Sequence, residues 1–194
     1  MVRAQTALLL VAVLFLSACA STRVVDSNVS AFSAWAAAPP VPGTRYKFER
    51  LPSQTEATQQ DRIEALATTS LSKVGMAHSP EGAAFSVQVL LATEVVQSSP
   101  SPSFGGGLLI GSGGFGSSLG LSFPIGYSQP YFNRTVTVLM RDLATQKVVF
   151  ETRALHDGVG NDAFAVLPAM LDSALLGFPQ PPAGMRRINV QIPR

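Results

Sequence analysis

Four residues near the N-terminus, Leu16-Ser17-Ala18-Cys19, carry the most specific chemistry in this chain. Cys19 is its single cysteine. It follows the apolar run Ala7 to Leu16, which is preceded by Arg3 and closed by the small residues Ser17 and Ala18. A positive region, an apolar region and small residues at a cut are the parts of a secretory signal. A cysteine directly after the small residues makes the signal a lipobox, which places a lipid on the thiol and cuts before it. The apolar run is too short to cross the roughly 30 Å hydrocarbon core, which takes about 20 helical residues. The expectation is a signal peptide over 1–18 and lipidation at Cys19. The thiol is then blocked, which excludes disulfide and redox chemistry. Each buried methylene contributes roughly 0.8 kcal/mol, so two or three palmitate-type chains anchor the protein firmly. Ala20, rather than Asp, follows the cysteine. By the usual rule for Gram-negative lipoproteins this points to the outer membrane, facing the periplasm.

The remaining reactive side chains form no pattern of this specificity. The chain has two histidines, His78 and His156. No H-E-x-x-H, C-x-x-C or G-x-S-x-G occurs. His156-Asp157-Gly158 imitates two-thirds of a catalytic triad, but reads as a strand-end residue and a turn. His78-Ser79-Pro80 reads as a loop after the first helix. Asp142 and Asp157 fall at opposite ends of a hairpin, which gives no paired-carboxylate geometry. These readings predict no enzyme, no metal and no cofactor. A hydrolase is the remaining rival, tested by His156→Ala. The formal charge falls from +2 to +1 with the loss of Arg3. A near-balanced chain has no electrostatic footprint for nucleic acid, and Arg186-Arg187 reads as a solvated strand end.

No charged residue occurs between Glu94 and Arg134, and glycine is dense from Gly105 to Gly120. Gly111, Gly113 and Gly116 match G-x-G-x-x-G literally. That fingerprint needs a helix after the glycines to hold a pyrophosphate, and Ser117 to Gly126 has no helical period. A Walker loop is excluded because no Gly-Lys-Ser/Thr occurs. Gly107-xxx-Gly111 and Gly116-xxx-Gly120 permit close helix packing in a membrane, against which Pro124 and the low helix propensity of glycine count. Phe104, Phe115, Phe123, Tyr127, Tyr131 and Phe132 on a mobile backbone make a candidate partner-binding loop. A tolerated disordered insertion is the plain alternative.

The elements that would position these groups follow from periodicity. Residues 19–42 read as a lipidated tether, in which Val24, Val25, Val29 and Phe32 could make a short strand and the Ala-Pro run to Pro42 no lasting ladder. Thr44 to Arg50 alternates polar with aromatic, a half-buried strand. Ile63, Leu66, Ser70, Leu71 and Val74 share one face of a helix over Asp61 to Val74, stopped by Gly75. Phe85 to Leu91 and Arg134 to Met140 alternate as strands. Val148 to Ala154 returns as a hairpin partner after a polar turn over Asp142 to Lys147. A helix runs from about Phe164 to Leu176, with Pro168 either in its first turn or kinking it. Ile188, Val190 and Ile192 form a closing strand. The order is β-α-β-(Gly-rich insert, about 98–130)-β-β-α-β. It predicts a single α+β domain over 43–194, a mostly antiparallel sheet with two helices packed on one face.

These residues in this order resemble a known family. Val29-Ser-Ala-Phe-Ser-Ala-Trp35 and Thr44-Arg-Tyr-Lys-Phe48 look like the opening of the domain-of-unknown-function 4136 family of bacterial lipoproteins. The similarity continues through Leu71-xx-Val74-Gly75, the hairpin Met140 to Phe150, and Met170-Leu171 leading to Phe178-Pro179. The resemblance implies an α+β envelope domain with a glycine- and aromatic-rich insert. It brings no catalytic residues, because the family has no established activity. The insert here departs from the family in lacking Trp and in being richer in Ser and Leu. The expected function is a non-enzymatic binding or accessory module of the cell envelope, anchored in the membrane through Cys19. Its rival is an accessory part of an envelope transport or assembly machine, whose insert touches the bilayer.

Overall fold

The computed structural model describes residues 22–35, 38–54, 58–96, 110–111, 114–115 and 130–193. Strands β1 (Thr22–Ser33), β2 (Arg45–Phe48), β3 (Ala77–His78), β4 (Phe85–Val96), β7 (Tyr131–Asp142), β8 (Val148–Val159) and β9 (Arg186–Pro193) form one seven-stranded sheet. Its order is β3-β2-β4-β7-β8-β1-β9. Helices α1 (Thr58–Lys73) and α2 (Leu167–Leu175) complete the domain. Two-residue strands β5 (Ile110–Gly111) and β6 (Gly114–Phe115) pair separately.

The α+β class is as expected, but the sheet is mixed. β4-β7-β8-β1-β9 is antiparallel throughout, whereas β2 runs parallel to both β3 and β4. The cause is the connection. A strand that returns through a helix comes back parallel, and α1 is the crossover between β2 and β4. The expected tether is also corrected from Thr22 onward. Residues 22–33 are a full strand between β8 and β9, with Val25 and Val29 completely buried.

The helices pack on one another and on a single face of the sheet. Ser70 Oγ donates to Asp172 Oδ1 at 2.7 Å, and Lys73 Nζ reaches Oδ2 at 2.6 Å, tying α1 to α2. Beneath them Val25, Val87, Val89, Val136, Val138, Met140 and Phe150 meet Ile63, Leu71, Leu167, Met170, Leu171 and Leu175 in one core. Each such side chain contributes roughly 1.5–3 kcal/mol by leaving water. Pro168 lies in the first turn of α2, where its missing N–H costs nothing. Asp162 Oδ1 accepts from the N–H groups of Phe164 and Ala165 just before that helix. Trp35 also belongs to this core. Its ring stacks on Phe150 and meets Phe85 and Phe178 edge-on, and its Nε1 donates to the Pro179 carbonyl at 2.8 Å.

Candidate functional site

The sheet changes character at the end where β4 stops and β7 begins. Alternation along β7 turns Phe132, Arg134, Val136, Val138 and Met140 to the helix-covered face. Four of these positions are apolar, Val136, Val138 and Met140 as expected there, and one is an arginine. Register places Arg134 opposite His156 of β8. Ser27 of β1 is buried on the same face.

His156 sits where the β1–β8 ladder ends. The last paired residues are Asn28 and Leu155. One step on, the imidazole Nδ1 lies 2.7 Å from the carbonyl oxygen of Asp26. A carbonyl only accepts, so Nδ1 donates, and in that tautomer Nε2 is an acceptor. Nε2 is buried and has no partner among the described residues. It lies over Gly158, where a Cβ would approach it to 3.1 Å, so glycine leaves the ring its room.

Arg134 is 1% exposed. One Nη2 hydrogen bond goes to the Gly160 carbonyl, and the guanidinium lies 5.1 Å from the centre of the Phe132 ring. Among the described residues its Nε and Nη1 have no partner, and neither does Ser27 Oγ. Burial lowers the guanidinium's affinity for its proton, repulsion from Arg23 adds to this, and Asp162 opposes it. That carboxylate is exposed and already holds two backbone N–H groups. The 95–133 stretch holds no Asp or Glu to offer instead. A buried cation without a paired carboxylate costs stability, so this row is a binding candidate: donors from Arg134 and Ser27 beside the Nε2 of His156.

On the opposite face the separation of β1 from β8 leaves a cleft of about 260 Å³, lined by Asp26, Asn28, Tyr131, Leu155, Asp157 and Arg187. Arg187 donates to Asp26 across it. Asp26 thus joins the two sides, its carbonyl holding His156 and its carboxylate holding Arg187.

The expected partner loop is not one unit. Tyr131 and Phe132 are strand residues of β7 on opposite faces, because pairing with both β4 and β8 extends to this point. Phe115 belongs to β6 by its backbone. Phe104, Phe123, Tyr127 and the lipidation residue Cys19 lie outside the described residues, as do Gly113 and Gly116 of the glycine fingerprint. His156, Asp157 and Gly158 are inside β8 rather than at a strand end and turn, since β8 continues to Val159. His78 is in edge strand β3, its ring 5.3 Å from Tyr46 and 5.1 Å from Phe48, not in a loop. Asp142 and Asp157 do lie at opposite ends of the hairpin. Arg134 and Ser27 were not among the expected site residues. The signal for Arg134 was its phase with Val136, Val138 and Met140. Among the described residues, no group of three or more His, Cys, Asp or Glu side chains could hold a metal ion, and no helix is long and apolar enough to cross a membrane.

Comparison with known proteins gives a family and a fold. A PDZ domain protein from Parabacteroides distasonis aligns with 89% of this chain at a TM-score of 0.51 and 9% identity. This chain spans 39% of that protein, and the likeness shows the fold alone. The PelC dodecamer from Paraburkholderia phytofirmans aligns over 77% of this chain and 94% of its own, at a TM-score of 0.44 and 12% identity. No curated protein matches the sequence. The model of one family covers residues 23–180, from β1 to just past α2. The chain belongs to that family, described as Domain of unknown function (DUF4136).

Proposed function

We propose that this protein is a lipid-anchored module of the cell envelope, acylated at Cys19, and that it binds rather than transforms its ligand. The observation that carries the reading is the lipobox Leu16-Ser17-Ala18-Cys19 set against the start of the fold. Sheet pairing begins at Thr22, three residues after the cysteine. A processed chain would lose only its signal and keep every strand. The binding role is supported by the buried row of Arg134, His156 and Ser27, in which Arg134 Nε and Nη1, His156 Nε2 and Ser27 Oγ have no partner among the described residues. Stability alone does not account for such groups. An anionic group, a carboxylate or a phosphate, is the chemistry they would receive.

The test is capture in native membranes. The intact protein is crosslinked and its partners are identified by mass spectrometry, beside Cys19→Ala and Arg134→Met. A partner or ligand held by the wild type and lost from both variants supports an anchored binding module. Capture indifferent to both changes removes the proposal.

A further inference from the structure

The end of the sheet at which β1 begins is also where β4 finishes, β7 starts and β8 finishes. Register puts Val96 opposite Tyr131, and Tyr131 opposite Val159. Alternation places these three side chains on the face turned away from the helices, in one row across three neighbouring strands. Val96 and Tyr131 are each 40% exposed, and Val159 is 53% exposed. At the same end of β1, Val24 is 49% exposed. It lies two residues before Asp26, and so on that same face. Deeper in the sheet the face is mixed, with Thr135, Thr137, Glu151 and Arg153 beside Leu90, Leu139 and Leu155. At the end where β1 begins, four strands thus each contribute an exposed apolar side chain to this face; Phe32, 59% exposed, lies on it at the other end of β1.

We infer that this end of the sheet rests in the surface of a phospholipid bilayer, with Val24, Val96, Tyr131 and Val159 in the boundary between headgroups and acyl chains. The inference builds on acylation at Cys19. Only Ala20 and Ser21 separate Cys19 from Thr22, at most about 10 Å of extended chain. An acyl chain in the membrane therefore holds this end of the sheet against it and leaves no room for the opposite end to approach.

Charge fits the same orientation. Glu94, Asn133 and Asp157 make the next row on the same face. Two residues along a strand is about 7 Å, comparable to the roughly 5–10 Å to which interfacial segments bury their apolar face. The carboxylates thus remain in water while the valines do not. The stretch between Glu94 and Arg134 carries no charge that would resist the approach. Tyrosine, apolar in its ring and polar at its tip, suits this depth. Arg23, beside Val24 on the other face of β1, is placed to meet lipid phosphate.

The test uses two reporters on one hairpin. An environment-sensitive fluorophore is attached in full-length acylated protein at Val159→Cys or at Thr145→Cys, the latter in the exposed turn at the far end of β7 and β8. Each protein is reconstituted into phosphatidylcholine–phosphatidylglycerol vesicles, with and without a lipid-borne quencher. Cys19 does not react, because its thiol is acylated. The expected result is a blue-shifted emission at 159, quenched about twofold or more relative to that at 145. Equal water exposure at both sites, in protein shown by intact mass to be acylated, overturns the orientation and leaves the anchor standing. A mass without acyl chains overturns the anchor, and the orientation with it.

Discussion

Arg134 is where this chain departs most from the rules that build its core. Four strands meet under two helices with valine, methionine and phenylalanine, and one position in the same phase is a guanidinium. Its one hydrogen bond and one aromatic neighbour return less than a carboxylate would. Replacing it with an unbranched apolar chain should therefore not destabilise the protein. For Arg134→Met the expected outcome is a thermal midpoint equal to or a few degrees above the wild type, about 2–4 °C for each kcal/mol gained. Differential scanning calorimetry measures it. His156 is the opposite case. His156→Ala removes the bond to the Asp26 carbonyl and leaves that oxygen unpaired at the end of the β1–β8 ladder. A loss of about 1–3 kcal/mol in urea unfolding is expected. The period-two pattern made the phase of Arg134 readable. The partner of His156 was not readable, because it lies 130 residues away on another strand.

At the scale of elements, the strands and helices that the periodicity predicted are present, and most are longer than expected. Alternation weakens toward strand ends, while the ladder continues as long as a neighbour is there to pair with. This is why β4, β7 and β8 run twelve residues each. The parallel pairing of β2 was hidden because strand direction depends on which neighbour a helix returns to, and no local pattern encodes that. β1 was read as tether with at most a short strand in it because the Ala-Pro run after it dominates the segment, although Val25 and Val29 held the correct phase for a core. Two turns test the element boundaries. Gly75 ends α1 at a φ of +86°, and a Cβ there would meet the Pro42 backbone at 3.2 Å. Gly75→Ala should cost about 1–2 kcal/mol by chemical denaturation. In the β7–β8 turn, the backbone N–H of Thr145, and that of Ala144 with it, holds the Asp142 carboxylate below its ordinary pKa. A group with a depressed folded pKa contributes stability above its unfolded value and loses it as pH falls through the folded one. Asp142→Asn should therefore flatten part of the acid-side decline in stability, below about pH 4, seen as a smaller change in urea midpoint between neutral and acidic pH.

The described residues form two layers, with helices on one face of the sheet and none of the described helices on the other. At one end of the sheet gather the start of β1, the exits to the uncharged insert, the cleft beside Tyr131 and the buried Arg134 row. None of these is adjacent to all the others in sequence. What brings them together is the antiparallel run from β4 to β1, which returns every second strand to the same end. A lipid on Cys19 would turn this end, and its candidate site, toward the membrane. The insert was legible in sequence as an uncharged glycine-rich stretch, while the common end of the sheet shared by the start of β1, the end of β4 and the start of β7 emerged only from register. Acylation is the claim on which the account turns. The most direct measurement is the intact mass and N-terminal peptide of the protein extracted from its native membranes. The account predicts a mature chain that begins at Cys19 and carries the added mass of acyl chains on that residue. A chain with an unmodified Cys19, or one that still holds residues 1–18, would contradict it.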